Sequence, residues 1–288
     1  MIIVTPTYNR RQELPNLVAS LEKQTCQDFT WLVIDDGSTD GTAEYLKDLQ
    51  KNSLLDIEYY YQPNQGKAIA YNQAFQHMPV DEVHLVVDSD DELLPNAVAT
   101  FYEDLQQIPQ QIGLVYPKTI AGEPTKWLPN KVQAVNIMDI RFKYGLKIET
   151  CIVLKNQYIG DFRFPTTEGE TFCSEELFYN ALINKGTFKP CATEVYRYKY
   201  LADGLTSNLF TMQKNNPHNT RLLFQDRQKY VQQNLKGPQR FLELIKVRLN
   251  KIAFNLVQKD GSALSEADLR DWLLMPAAII LKQIRYHK

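Results

Sequence analysis

The chain has 288 residues, 44% of them hydrophobic and 23% charged, and a net charge of −2. This is the composition of an ordinary globular protein long enough to bury a sizeable core. The near-neutral charge excludes a protein that holds nucleic acid by bulk electrostatics, and no apolar run is long enough to span a bilayer. Four cysteines (Cys26, Cys151, Cys173, Cys191) show no CxxC pair, so reduced thiols are expected. The histidines His77, His84, His218 and His287 do not join them at zinc-ligand spacing. Met1-Ile2-Ile3-Val4 is too short an apolar run for a signal peptide, and the expected location is the cytoplasm or the inner face of the membrane.

In chain order, Ile2 to Val4 reads as a buried strand that stops at Pro6. An amphipathic helix follows over 12–25. Trp31 to Ile34 is a second buried strand, ending at Asp35-Asp36-Gly37-Ser38. Thr39-Asp40-Gly41 caps a helix carrying Ala43, Leu46 and Leu49. Ile57 to Tyr61 is a third strand, broken by Asn64-Gln65-Gly66, with a helix over 67–76 behind it. Val83 to Val87 is a fourth strand ending at Asp88. A helix begins near Pro95, and Ile112 to Tyr116 is a fifth strand. The middle is less regular, with strand-like runs at Glu149 to Leu154 and Glu194 to Tyr200 and one helix near Glu175 to Asn184. From Gly237 the chain turns helical, with nine Lys/Arg against five Asp/Glu.

Short apolar runs alternating with amphipathic helices imply crossover units: an α/β fold with a Rossmann-like, mostly parallel central sheet and helices on both faces. Ligands bind such sheets beyond the carboxyl ends of the strands. Those ends carry Thr5-Pro6-Thr7-Tyr8-Asn9, Asp35-Asp36, Pro63-Asn64 and Asp88-Ser89-Asp90-Asp91. Four carboxyl groups within Asp88 to Glu92 raise one another's pKa or recruit a cation. Alternate carboxylates suit a hard divalent ion, Mn²⁺ or Mg²⁺, that shares phosphate oxygens and water. Such an ion stabilises a departing nucleoside diphosphate. Taken alone, the cluster equally suits a turn and helix cap.

Four ordered motifs shift that balance: Val4-Thr5-Pro6-Thr7-Tyr8-Asn9-Arg10, Val33-Ile34-Asp35-Asp36-Gly37-Ser38-Thr39-Asp40, Asn64-Gln65-Gly66-Lys67 with Tyr71-Asn72, and Val87-Asp88-Ser89-Asp90-Asp91. In order and spacing the chain resembles a family 2 inverting glycosyltransferase of the GT-A fold, strongly over the first 115 residues and more weakly to about 210. The resemblance implies a catalytic domain over 1–210, with a nucleotide-binding half (1–115) and an acceptor half (116–210), and a mostly helical extension over 211–288. It implies a nucleotide-sugar donor, UDP-linked by expectation, and a glycan or lipid-linked glycan acceptor of bacterial surface-polysaccharide type.

The implied donor set is Thr5, Pro6, Tyr8, Arg10, Asp35, Asp36, Asn64, Lys67, Asp88 and Ser89. Tyr8 would stack on the base, and Asp35 or Asp36 would bond uracil or ribose. Lys67 would meet the uracil or the diphosphate, and Asp88 the ribose or sugar. Asp90 would ligate the metal, with Asp88 and His218 as further candidates. Inversion needs one general base. The family usually places Glu-Asp at a helix start, and here Ser174-Glu175-Glu176 stands in that place. Strict register favours Glu176, and the preceding Phe164 to Phe172 favours Glu175. Acids in a first turn are also stabilising without chemistry. Tyr198 to Thr206 resembles a segment that lies across the active site in relatives.

Two other classes share parts of this pattern. A sugar nucleotidyltransferase would want a Gly-rich, basic triphosphate loop, which the N-terminus lacks. A non-catalytic binding module would not need the full acidic set. The C-terminal helices have three readings: packing on the catalytic domain, a peripheral membrane contact through a basic amphipathic surface, and a homodimer interface.

Overall fold

The computed structural model describes residues 1–108, 110–199, 208–258, 261 and 268–286. In chain order the elements are β1 (Ile2–Thr7), α1 (Leu14–Glu22), β2 (Thr30–Asp35), α2 (Thr42–Asn52), β3 (Asp56–Tyr61), α3 (Lys67–His77), β4 (Val83–Val86), β5 (Glu92–Leu93), α4 (Ala97–Leu105), β6 (Gly113–Pro117), α5 (Ile137–Phe142), β7 (Thr150–Lys155), α6 (Glu176–Leu182), β8 (Phe188–Pro190), β9 (Tyr196–Arg197), α7 (Leu209–Asn215), α8 (Pro217–Asn234), α9 (Gly237–Gln258) and α10 (Leu269–Tyr286). The chain divides into two compact units, Met1–Phe164 with Ala181–Lys199, and Pro165–Asn180 with Tyr200–Lys288.

Among the described residues, the first unit holds a seven-stranded sheet in the order β3-β2-β1-β4-β7-β6-β8. β1 pairs parallel with β2 and β4, and β2 with β3. β7 is antiparallel to both β4 and β6, so those two run the same way and their carboxyl ends share an edge. The expected mostly parallel sheet is therefore present, with β7 reversed. β5 and β9 form a separate antiparallel pair.

One face of the sheet presents Ile3, Trp31, Val33, Ile57, Leu85 and Leu114, packed with Leu14, Leu17 and Leu21 of α1, Leu46 of α2 and Phe101 of α4. The alternate residues Val4, Leu32 and Ile34 are equally buried and point to the other face. There α3 lies against β1 and β2 through its buried Ala70 and Ala74. Both faces are covered, which is why these strands read as unbroken apolar runs. Between them Trp31 Nε1 donates to Thr5 Oγ1 (2.9 Å), and Thr5 Oγ1 donates to the Val87 carbonyl (2.9 Å). One hydroxyl thus ties β2, β1 and the end of β4 together.

β1 runs through Pro6, which the sequence reading took as its stop. The Val4 carbonyl accepts from Val87 N on the β4 side, and the Thr7 carbonyl accepts from Asp36 N on the β2 side. Alternation puts Pro6 on the β4 side, where the register ends at Val4. Its missing N–H therefore removes no ladder bond. Asp91 and Glu92 do not begin a helix: Asp91 is buried in a turn and Glu92 opens β5. The strand expected over Glu194 to Tyr200 shortens to β9, because its partner β5 offers only Glu92 and Leu93.

In the second unit, Glu170 accepts from the backbone N–H groups of His218 (2.7 Å) and Asn219 (2.9 Å) at the start of α8. A carboxylate there satisfies orphan donors and suits the helix dipole. Asn216 Oδ1 returns the contact, accepting from Thr171 N (2.7 Å) and Phe172 N (2.9 Å). These bonds link the loop at 170–172 to the start of α8 within the second unit. α9 and α10 meet where Ile252 and Ala253 pack on Ala278. Among the described residues no helix is long and apolar enough to cross a membrane.

His84 of β4 is buried, with Nδ1 2.7 Å from Asn156 Oδ1. Burial pushes its pKa down to about 4. The unfolded chain takes up this proton near pH 6.5, as free histidine does. The native state therefore loses stability as pH falls from about 6.5 to 4, by up to about 3 kcal/mol. In urea titrations the stability difference between wild type and His84→Gln should shrink by that order over this interval. A difference that does not vary with pH would contradict the assignment.

Candidate active site

Asp88 leaves β4 on the edge that also receives the ends of β1, β2 and β6. Its two oxygens are divided between two lysines. Lys67 Nζ is 2.6 Å from Oδ1 and Lys118 Nζ is 3.2 Å from Oδ2. Lys118 also reaches Asp91 Oδ2 at 3.3 Å. Tyr196 completes the group. Its hydroxyl donates to Asp91 Oδ2 (2.7 Å) and accepts from the Asp88 N–H (3.1 Å), and Lys118 sits 4.2 Å from its ring centroid.

The three aspartates differ because their neighbours differ. Burial opposes ionisation of Asp88, but the charges of Lys67 and Lys118 outweigh it and hold the carboxyl well below the usual range. Burial lifts Asp90, and the Asp88 charge lifts it further, against the pull of Arg10 and Lys67. Burial pushes Asp91 up to about 6, despite Lys118. Asp91 has Lys118 and the Tyr196 hydroxyl in direct contact, whereas no ion pair to Asp90 is present among the described residues.

The loops around the cluster are held by the remaining motif residues. Asn9 takes a left-handed φ of 51°, which asparagine tolerates. Its N–H donates to Ser38 Oγ (2.9 Å) and its Oδ1 accepts from Thr39 N (2.8 Å). Asp36 holds the loop before α3, accepting from Gln62 Nε2 (2.7 Å), Gln65 N (2.9 Å) and Gly66 N (2.7 Å). Gly66 sits at φ 93°, ψ 157°, a region open essentially to glycine alone. That backbone sets Lys67 at the first position of α3. A cation there opposes the helix dipole unless an anion faces it, and Asp88 does. Gly37, at φ 86°, passes so close to Asn64 that a Cβ would meet its backbone N at 2.7 Å. Asn72 pairs with the backbone of Phe164 in both directions, at 2.8 and 2.9 Å.

The expected donor residues fall into two groups. Lys67, Asp88 and Asp90, with Arg10, interact at the strand-end cluster. Tyr8 is 46% exposed and Asn64 is exposed, so both are open to a ligand. Asp35 is buried, accepting from Ser38 N (2.8 Å) and Tyr59 OH (3.0 Å). Thr5, Pro6 and Ser89 are buried as well. The hydroxyl of Thr5 is used inside the core, between Trp31 Nε1 and the Val87 carbonyl. Lys118 and Tyr196 were missed. Lys118 had a signal: it directly follows an apolar strand, as Asp88 does. Tyr196 had none, because its partner Asp91 is 105 residues away.

A divalent cation is implied by the resemblance. Among the described residues no group of three or more His, Cys, Asp or Glu side chains could hold one alone. The donor set nevertheless fits a hard cation that takes one or two carboxylates and completes its shell with phosphate and water. Asp90 would be the first ligand, and Asp88 the second on exchanging a lysine.

Glu175, Glu176 and His218 belong to the second unit. Glu176 is committed to Arg227, whose Nε donates to Oε1 at 2.7 Å while Nη2 donates to Oε2. Both side chains are largely buried. Glu175 accepts from Tyr179 OH at 2.9 Å. His218 is exposed in the first turn of α8. Of the segment resembling one that crosses the site, residues 200–206 lie outside the described residues; Tyr198 N donates to the Thr119 carbonyl at 3.0 Å.

A mostly parallel α/β sheet with acids and lysines gathered at its strand ends defines a transferase of the GT-A type. The family model described as glycosyl transferase family 2 matches residues 2–159, more than half of the chain, and the chain belongs to that family. It is 31% identical over 106 residues to a Campylobacter jejuni GalNAc(5)-diNAcBac-PP-undecaprenol beta-1,3-glucosyltransferase, a match covering 35% of this chain and 33% of the relative. The matched stretch thus spans about a third of that relative's length. S. aureus TarS 1-349 in complex with UDP-GlcNAc shares the fold at TM-score 0.59 and 19% identity, covering 96% of this chain and 78% of TarS. The mannosyltransferase PcManGT from Pyrobaculum calidifontis, in complex with GDP-Man and Mn²⁺, does so at TM-score 0.54 and 15% identity, covering 97% and 79%.

The contrast between the two glutamates is measurable without activity. Glu176→Gln should deprive buried Arg227 of its two-oxygen carboxylate partner and lower the unfolding free energy by about 3 kcal/mol. Glu175→Gln weakens a hydrogen bond from Tyr179 and should cost less, about 1 kcal/mol. Equal melting-temperature losses would contradict the division of roles.

Proposed function

We propose that this chain is an inverting glycosyltransferase that moves a sugar from a UDP-sugar to a glycan or lipid-linked glycan acceptor in building a bacterial surface polysaccharide. The observation that carries the reading is the strand-end cluster, where Asp88 is clamped by Lys67 and Lys118 with Asp90 beside it. Cations at a helix start and a strand end suit a diphosphate. The acceptor class and the setting rest on the likeness to the Campylobacter enzyme, and the UDP on the resemblance already described. TarS, of the same fold, is solved with UDP-GlcNAc. Nucleotide sugars place the reaction in the cytoplasm.

In this reading exposed Tyr8 stacks on the base, and Lys67 and Lys118 face the diphosphate. A divalent ion at Asp90, with Asp88, would neutralise charge on the departing nucleotide. The acceptor oxygen bonds to the anomeric carbon as the bond to the UDP oxygen breaks, and the electron pair leaves with UDP. The acceptor proton goes to a general base. Glu175 takes that role, because Glu176 spends both oxygens on Arg227.

The test is UDP release from a panel of UDP-sugars, with and without Mn²⁺ or Mg²⁺. Release should need the metal, and Asp90→Asn should abolish it. Glu175→Gln should lower kcat by about 10²-fold or more while UDP binding, read by calorimetry, stays within twofold. Wild-type turnover in Glu175→Gln would place the base elsewhere. Neither release nor binding of UDP in the presence of Mn²⁺ would sink the reading.

A further inference from the structure

α10 has two apolar faces. One packs on α9, with Ala278 against Ile252 and Ala253 and with Leu274, Met275 and Leu281 around it. The other carries Leu269 (79% exposed), Trp272 (53%), Leu273 (77%), Ile280 (63%) and Ile284 (65%), with Ile279 (48%) at its margin. At helical spacing these positions form one stripe on the side of α10 away from Ala278. Six large side chains at these exposures present an apolar area on the order of 800 Å², about what each partner of a stable complex buries and more than a typical monomer leaves bare.

We propose that this stripe is a homodimer interface, in which α10 of one copy crosses α10 of a second copy antiparallel about a two-fold axis. The residue order favours a second copy. Pro276 and Ala277 are small and lie at the centre of the stripe, with large residues on either side. Antiparallel crossing at that centre sets Leu269 and Leu273 of one copy against Ile284 and Ile280 of its partner, and the reverse, which is the self-complementarity a two-fold contact requires. Small residues at the crossing let the helices approach closely. A lipid surface fits less well, because an interfacial helix turns a Lys/Arg-rich polar face to water opposite its apolar one, and here that opposite face is apolar and packed on α9. Of the cations on α10, Arg285 lies 5.2 Å from the Phe210 ring centroid.

The inference does not depend on the proposed activity. Light scattering of the purified full chain at micromolar concentration should give twice the monomer mass. Leu273→Glu with Ile280→Glu should give a monomer with unchanged helical circular dichroism, and Leu54→Glu, an exposed control in the first unit, should remain dimeric. Ala277→Cys in a Cys26→Ser background should form a disulfide-linked dimer on mild oxidation. A monomeric wild type overturns the proposal, as does a dimer that survives the double substitution or fails to cross-link at residue 277. A monomer that sediments with vesicles containing phosphatidylglycerol would assign the stripe to lipid instead.

Discussion

A carboxylate set at the end of a buried strand has to be neutralised, and Asp88 organises the first unit around that requirement. One oxygen is met by Lys67, which brings the start of α3 to the end of β4. The other is met by Lys118, which brings the end of β6 to the same place although β7 separates the two strands in the sheet. Lys118 would itself be costly so far from water, and the Tyr196 ring and Asp91 offset that. Tyr196 is in turn anchored by its hydroxyl to Asp91 and to the Asp88 backbone. Four segments distant in sequence are thus joined by one electrostatic problem and its solution.

Much of the recognisable motif is architecture in the service of that cluster. Asp36 has each oxygen bonded within the loop ahead of α3, and burial still lifts its pKa against the bonds from Gln65, Gln62 and Gly66. Asn9 closes the first loop onto Ser38 and Thr39, and Gly37 lets Asn64 pass. Thr5 carries a relay inside the core. In this chain these residues set the backbone from which Lys67 and Asp88 reach one another.

The strands and their acidic ends were legible in the sequence because they are local. A run such as Leu85 to Val87 followed by Asp88 states burial and its termination within a few residues. What escaped was decided at a distance. Asp91 and Glu92 look like a helix start, but pairing with Tyr196 and Arg197 makes them a turn and a strand. Glu175 and Glu176 are indistinguishable as neighbours, and Arg227, 51 residues on, separates them. The link between the loop at 170–172 and the start of α8, made by Glu170 and Asn216, is decided at the same kind of distance.

The charge pattern bears on how a ligand would enter. Asp88 is already matched by two lysines, so a diphosphate approaching Lys67 and Lys118 competes with it for them. Asp90 meanwhile stands beside Asp88 with its pKa lifted by burial and by that neighbour. A diphosphate alone would add negative charge to an under-neutralised carboxylate, and a divalent cation alone would face the two lysines on Asp88. On the proposed reading, a cation entering with the nucleotide would meet Asp90 and any oxygen that Asp88 gives up, while the phosphates would take the lysines so released. On that reading metal and nucleotide would bind more favourably together than either one singly.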